Sequence, residues 1–479
     1  MNESKAVLSK SESENKRMLS ERMQATEDLV MVDSDLDLDQ TITICYIQGL
    51  IDLTKLEQIL IMYKENKAIL PAFQMESRIL TIEDAAYSLA SGMSVLLFNA
   101  SGYGVAVDTL GVQLRSVEEP VSESTVKGPR SGFTESLQNN IALVRFYFAS
   151  PNLKVETRKI GSLSKTSIAV LSIGGITNPD ILAELHRRIG EIPSDAIIGS
   201  NALEEWIIDN RGTLFPLVET TERPDRVMGA LLEGRVAVVV QGTPFVILLP
   251  FLFLQAFQVG EDYTWNYYIG TSMRLIRLLS GLVGMLLPAF YVATITFHHE
   301  LVPTPLLQSI AAAKEPVPFP AVVESFAMML AFEVMREAGV RMPKQVGQAV
   351  SIVGALILGQ AAVQAGIVSP IMVIVAALTG ICTFTLPPTA INYVIRFLQF
   401  GMTLLAALLG YVGIMVGLLM LLTYLASLRS FGIPYLAPAA PFNFDQLSDV
   451  LVRRPLVLNK KRPKLFSPLS KIRFRGKSR

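Results

Sequence analysis

VGQAVSIVGALILGQAAVQAG, residues 346–366, runs for 21 residues without a formal charge. As a helix rising ~1.5 Å per residue it would span a hydrocarbon core of ~30 Å. Projected at ~100° per residue, its side chains sort by size. Gly347, Gln348, Ser351, Gly354, Ala355, Gly359, Ala362, Ala365 and Gly366 share one side, with Leu358 the bulky intruder. Val346, Val350, Val353 and Ile357 share the other, with Gln360 and Gln364 among them. Each glycine weakens a helix by ~1 kcal/mol relative to alanine, a cost that close approach of another backbone offsets. The stretch reads as an inner helix of a membrane bundle, whose small face either packs on protein or lines water.

The surrounding chain supports that reading. It has 479 residues, 51% of them hydrophobic, with a formal net charge of zero that hides a strong asymmetry. Residues 1–40 hold ten acidic and five basic side chains, whereas residues 451–479 hold eleven basic ones and no acid. Charge density is that of a soluble domain up to about residue 245, sparse from there to about 428, and nearly all basic after Arg429. A basic run after a membrane helix marks a cytoplasmic flank and suits anionic membrane lipid. With little aromatic interleaving, it does not point to nucleic acid. Residues 1–40 lack the apolar core of a signal peptide. They read as a disordered or weakly helical acidic tail, with both termini cytoplasmic and an even number of crossings. The two cysteines, Cys45 and Cys382, fall in different regions and suit a reducing compartment.

The soluble part carries a repeat. TITICYIQGLID, an amphipathic helix, a second helix stopped by Gly92 and a hairpin over 93–109 are followed, later, by the same order. Gly175 matches Gly49, and Gly234 matches Gly92. This predicts related α/β subdomains at 41–125 and 165–250, joined by a linking helix and strand over 126–164. The fold class expected is an α+β cytoplasmic N-terminal domain of two related α/β subdomains, followed by an α-helical transmembrane bundle over 251–430. That bundle would have four to six membrane helices plus re-entrant or interfacial segments, and a basic cytoplasmic tail over 431–479 would follow it. Ile276–Phe297 and Leu404–Ser427 read as spans, and Gly410, Gly413 and Gly417 on the latter as close-packing positions, Gly413 and Gly417 as a GxxxG pair. Gly347 and Gly366 read the same way.

Catalytic chemistry is thinly provided. HHE at 298–300 reads as a polar loop cap, because adjacent residues point apart and no further ligand follows at helical spacing. No P-loop, nucleophile elbow or dinucleotide fingerprint occurs. No metal, cofactor or catalytic residue is therefore expected. The charges at membrane depth are more informative, since a carboxylate there costs at least ~2.5 kcal/mol and seldom faces lipid. Glu324, Glu333, Arg336 and Glu337 on the predicted helix 321–339 are pore or gating candidates. Gln348, Ser351, Gly354, Ala355, Gly359, Gln360, Ala362 and Gln364 on the helix after it complete the set. An interfacial helix and a buried ion pair remain open alternatives for the former group, and plain packing for the latter.

TERPDRV (221–227), GRVAVVVQGTPFVILLP (234–250), LVPTPLLQSIAAAKEPVPFP (301–320), KGPR with FTESLQNNIALVR (127–145), EVMREAGVRMPKQVGQAVSIVGALILGQAAVQAGIVSP (333–370), SFGIPYLAP (430–438) and KKRP (460–463) together resemble the A-subunit family of bacterial spore germinant receptors. The resemblance covers about residues 41–465. It implies a multi-pass subunit of the spore inner membrane that works with a permease-like B subunit and a lipoprotein C subunit. It further implies a homo-oligomer, a pentamer in current models, forming a nutrient-gated cation channel that starts germination. A stage V sporulation paralogue without a dedicated sensor belongs to the same family. A non-conducting scaffold is the alternative from another class. A secondary transporter would need inverted repeats in the membrane part, where none is visible.

Overall fold

The computed structural model describes residues 6–34, 42–65, 78–111, 120, 123, 127–342, 357, 359–387, 390–442, 449–450, 452–466 and 468–473. Its first part contains two five-stranded sheets of one topology. β1 (Leu29–Ser34), β2 (Ile42–Ile47), β3 (Arg78–Ile79), β4 (Met93–Phe98) and β5 (Tyr103–Asp108) lie in the order β1-β2-β4-β5-β3. β6 (Leu153–Ile160), β7 (Thr166–Ile173), β8 (Glu219–Thr221), β9 (Val236–Val240) and β10 (Val246–Leu249) lie in the order β6-β7-β9-β10-β8. Every pairing in both is antiparallel.

Helices cover both faces of each sheet. α1 (Glu12–Arg22) and α3 (Ile82–Ala90) lie over the face carrying Cys45, Ile47, Val95 and Leu97. α2 (Leu53–Glu65) covers Ile42, Ile44, Leu96 and Phe98. In the second sheet α4 (Leu137–Tyr147) and α7 (Pro224–Leu232) cover Ala169, Leu171, Ala237 and Val239. α5 (Pro179–Gly190) and α6 (Gly199–Ile207) cover Ile168, Val170, Val238 and Val240. Successive strand residues point to opposite faces, so a strand covered twice is apolar throughout, as VAVVV of β9 is.

The repeat therefore begins one helix earlier than the sequence suggests. α1 and β1 occupy in the first unit the places that α4 and β6 occupy in the second. The expected disordered tail 1–40 is corrected: it contributes α1, whose Leu19 and Met23 are buried with Leu8 in the first core, and β1, which pairs with β2 along its length. The helix and strand over 126–164 are the opening elements of the second unit, not a linker. The glycine matches have a backbone cause. Gly49 and Gly175 have φ of 81° and 76°, and Gly92 and Gly234 have 90° and 96°, values that side-chain-bearing residues rarely adopt.

Burial also sets a titration in the second unit. Desolvation on α6, with Glu205 beside it, pushes the Glu204 carboxyl up to about 7. The folded state thus holds this proton more tightly than the unfolded chain does. The group's stability contribution is complete below pH ~4.5 and is lost as pH rises through about 7. Glu204→Gln should leave stability at about pH 4 nearly unchanged and raise it at about pH 8 by about 1–3 kcal/mol, read by denaturant unfolding at the two pH values.

From Tyr267 to Ser427 the described chain is mainly helical. α8 (Tyr267–Phe297) begins well before the expected start at Ile276, capped by Asn266, whose Oδ1 accepts from Tyr268 N at 3.2 Å. α9 (Thr304–Lys314), α10 (Ala321–Arg341), α11 (residues 359–364), α12 (Pro370–Phe384) and α13 (Ala390–Ser427) follow. By length and composition, α8 and α13 are long and apolar enough to cross a membrane.

α13 is a hairpin. At Gly410 the backbone leaves the helical region (φ 58°, ψ −139°), and the chain folds back on itself. Cβ atoms built at Gly413 and Gly417 would strike Leu405 and Met402 of the preceding arm. The expected continuous span Leu404–Ser427 is thus corrected: Gly410 makes the turn, and the Gly413–Gly417 pair packs within the chain. Gly281 of α8 neighbours Leu386 and Ile395, whereas Phe297 and His298 neighbour Gly410, so the first arm of α13 runs parallel to α8.

The described part of the basic tail docks on the α/β part. Leu469 N donates to Ile176 O (3.0 Å), Arg462 Nε to Leu232 O (2.9 Å), and Arg473 pairs with Glu233 (3.0 Å). Phe466 is buried.

Candidate functional site

The polar groups of the helical region gather where α10, α12 and α13 meet. α10 carries Glu333 and Arg336 three residues apart, close enough to face one side together. Arg336 Nη1 stands 3.5 Å from Glu333 Oε2, and Arg396 Nη1 of α13 donates to Glu333 Oε1. Arg336 Nη2 also donates to Thr383 Oγ1 of α12 at 3.0 Å. Both guanidinium groups lie over rings, Arg336 over Phe384 and Arg396 over Tyr393, at 4.9 and 4.3 Å from the centroids. Thr379, Thr383 and Gln399 are buried around them. One carboxylate therefore serves two arginines drawn from separate helices. The gap between them has a volume of about 20 Å³, enough for about one water molecule. A hydrated cation does not fit.

Glu333→Gln removes the carboxylate from two partly desolvated guanidinium groups. A fall of about 1–3 kcal/mol in the stability of the helical part is expected, read by thermal unfolding in detergent, because charged hydrogen bonds contribute on that scale.

Glu324 plays another part. It is 1% exposed at the start of α10, and its Oε2 accepts from Ser369 N (2.8 Å), the residue that caps α12. Lys314 of α9 stands 3.6 Å from Oε1. A carboxylate at a helix N-terminus meets unpaired N–H groups and the positive end of the dipole, so Glu324 latches three helices together. Glu337 pairs with Arg341 one turn on (2.6 Å), with both side chains largely exposed, and stays apart from the cluster.

Gly347, Gln348, Ser351, Gly354 and Ala355 lie outside the described residues. Gly359 is buried, and a Cβ there would come within 3.3 Å of Val373 of α12. Ala362 packs on the cluster around Tyr291 and Met372. Gly366 is not a helix-packing position: it ends α11 with φ 65°, close to Pro316 O. Gln360 and Gln364, one turn apart, are exposed on the outer surface beside Ile357.

Sequence reasoning missed Arg396 as a partner of Glu333. Its signal was a lone arginine in an apolar helix, a residue seldom left facing lipid. Arg274 and Arg277 stand near the start of α8. Both are buried and share Asp262, which accepts from Arg274 Nε at 2.9 Å and from Arg277 Nη2.

The profile of the Bacillus/Clostridium GerA spore germination protein family matches residues 17–465, from inside α1 to the docked tail. The chain belongs to the GerA family. Spore germination protein KA of Bacillus subtilis is 47% identical over 385 residues, which are 80% of this chain and 71% of that protein. The uncharacterized membrane protein YfkQ of the same organism is 44% identical over 387 residues, 81% of this chain and 75% of that protein. Among solved structures, the N-terminal domain of the A subunit of the Bacillus megaterium spore germinant receptor GerK3 is similar at 29% identity. It has a TM-score of 0.41 and covers 52% of this chain and 98% of that one. The GerA match includes both α/β units and the whole charged cluster of α10, α12 and α13.

Proposed function

We propose that the chain is the membrane subunit of a spore germinant receptor and oligomerises, as a pentamer, into a nutrient-gated cation channel. It catalyses no covalent reaction and needs no cofactor. Its partners are a permease-like B subunit and a lipoprotein C subunit, and it sits in the spore inner membrane with both termini cytoplasmic.

The observation that carries this reading is the placement of Gln360 and Gln364. Both are exposed on the outer face of a helical region where Leu279, Leu404, Leu408, Met415 and Leu419 also face outward, at 51–64% exposure. Amides seek hydrogen-bond partners that lipid tails do not offer. A second copy of the chain, or water between copies, would supply them. The narrow gap at Glu333 supports the same view, since ions need a wider path than one chain's interior offers there. In this reading the chain makes an even number of passes, four to six, with α8 and the two arms of α13 among them. An even number suits the return of Ser430 to the α/β part, where its Oγ donates to Leu217 O at 2.6 Å.

The test is potassium flux through liposomes holding the chain with its B and C partners. Nutrient should open the flux, and Gln360→Arg should lower it at least tenfold while the complex still assembles. Liposomes that stay impermeable with all partners and nutrient present would refute conduction. A Gln360→Arg variant defective in assembly alone would favour the scaffold.

A further inference from the structure

Where the chain enters α8, the docked C-terminal segment closes a cavity of about 340 Å³, a volume within the range of ligand sites. Its depth relative to α8 is fixed by backbone contacts. Arg453 donates to Tyr263 O (3.1 Å) and Trp265 O (2.7 Å), just before the helix begins. Arg274, two turns into α8, donates to Asp449 O at 2.5 Å. Tyr263 and Asp449 both line the cavity. At the same level Tyr268, Ile269 and Met273 are exposed on the outside of α8. Such a mixture of aromatic and apolar residues at a helix entry suits the headgroup zone of a bilayer.

The lining is amphipathic. Leu252, Leu254, Leu458 and Phe466 give it apolar walls, and Arg454, Lys460, Lys461 and Lys464 give it four cations. The other charges around it are already engaged. Glu233 pairs with Arg473, Asp449 accepts from Asn459 Nδ2 (2.7 Å) and Arg454 N (3.2 Å), and the Arg462 guanidinium is bound to the carbonyls of Leu232, Ser470 and Ile472. Among the described residues, the side chains of Arg454, Lys460, Lys461 and Lys464 make no ion pair. Four unpaired cations around a half-apolar cavity repel one another, and an anion with an apolar stem relieves that.

We infer that this cavity binds the phosphate headgroup of an acidic phospholipid, with the glycerol end against the leucines. The site ties the C-terminal segment, and through Arg453 the base of α8, to the lipid surface. The inference rests on the membrane placement proposed above but not on conduction.

The experiment uses the full chain in detergent, with phosphatidylglycerol or phosphatidylcholine added and retained lipid counted by native mass spectrometry. Phosphatidylglycerol should be held preferentially. The triple variant Lys460→Ala, Lys461→Ala, Lys464→Ala should weaken that retention on the order of a hundredfold. Leu458→Trp, which crowds the cavity without changing charge, should weaken it as well, while Lys159→Ala on the far sheet should not. Equal retention of the two lipids would overturn the proposal. So would unchanged phosphatidylglycerol retention in both cavity variants, which would mean diffuse surface attraction. Full displacement of the lipid by millimolar glycerol phosphate would show a free phosphate ligand and overturn the lipid assignment. A chain that conducts yet shows no lipid preference refutes this site alone; one that never enters a bilayer refutes the membrane reading.

Discussion

Replacing Arg145 by methionine should lower the unfolding free energy of the α/β part by about 3–5 kcal/mol, the range for breaking a buried ion pair from one side. Arg145 is fully buried. Its Nη2 and Nε donate to the two carboxylate oxygens of Asp28 at 2.7 and 2.8 Å, and Nη2 also reaches Thr26 Oγ1 at 3.0 Å. Thr26 Oγ1 in turn donates to Asp28 Oδ1 and accepts from Val155 N at 3.0 Å. The network joins the start of β1 to α4 and β6, so it holds the first unit on the second. Methionine fills similar space but leaves Asp28, 7% exposed, without its counter-charge. Denaturant unfolding of the full chain in detergent, followed by Trp206 emission, checks the value. Asp28→Asn together with Arg145→Met should recover part of the loss, because no ionised group is then stranded. A loss below about 1 kcal/mol for the single variant would contradict the account.

Gly410→Val should be equally damaging in the helical region. The residue's φ of 58° with ψ of −139° belongs to conformations that side chains forbid, at about 1–3 kcal/mol. A Cβ there would also lie 2.7 Å from His298 Cε1 and 3.2 Å from Phe297 Cβ, adding overpacking of about 1–3 kcal/mol. The two costs fall on the same turn, so the arms of α13 should separate. Melting in detergent should then occur well below that of the unaltered chain, with Gly410→Ala between the two. Gly401→Ala is the control: this glycine sits in the same arm, and a Cβ added to it meets nothing within 4 Å. It should be neutral or slightly stabilising.

Much of the fold was legible because some backbone demands are written in residue type. The matched pairs Gly49–Gly175 and Gly92–Gly234 mark the same left-handed turns in two copies, and such turns exclude most other residues. The twice-covered strands were legible as apolar runs. α1 was not, because ESENKRMLSER buries little beyond Leu19 and looks solvated over most of its surface. Its order comes from contacts with α3, including Arg22 to Glu83 at 2.5–2.6 Å. β6 was misread as a connection for a related reason: its outer residues Thr157, Arg158 and Lys159 are exposed at a sheet edge.

In the candidate site, Glu333 and Arg336 declared themselves by charge in an apolar context, and helical spacing put them together. Arg396 could not be joined to them from sequence, since it lies 63 residues from Glu333. The apolar character of 251–430, the repeat of the α/β part and the family are determined by the sequence itself, through hydropathy, periodicity and ordered motifs. The hairpin at Gly410, the docked tail and the outward placing of Gln360 and Gln364 were decided only by the tertiary structure. Hydropathy gives every apolar residue from Leu404 to Ser427 the same preference for burial. Which glycine bends, and which face of a helix finds a neighbour, depends on the partners that the fold brings within a few ångströms.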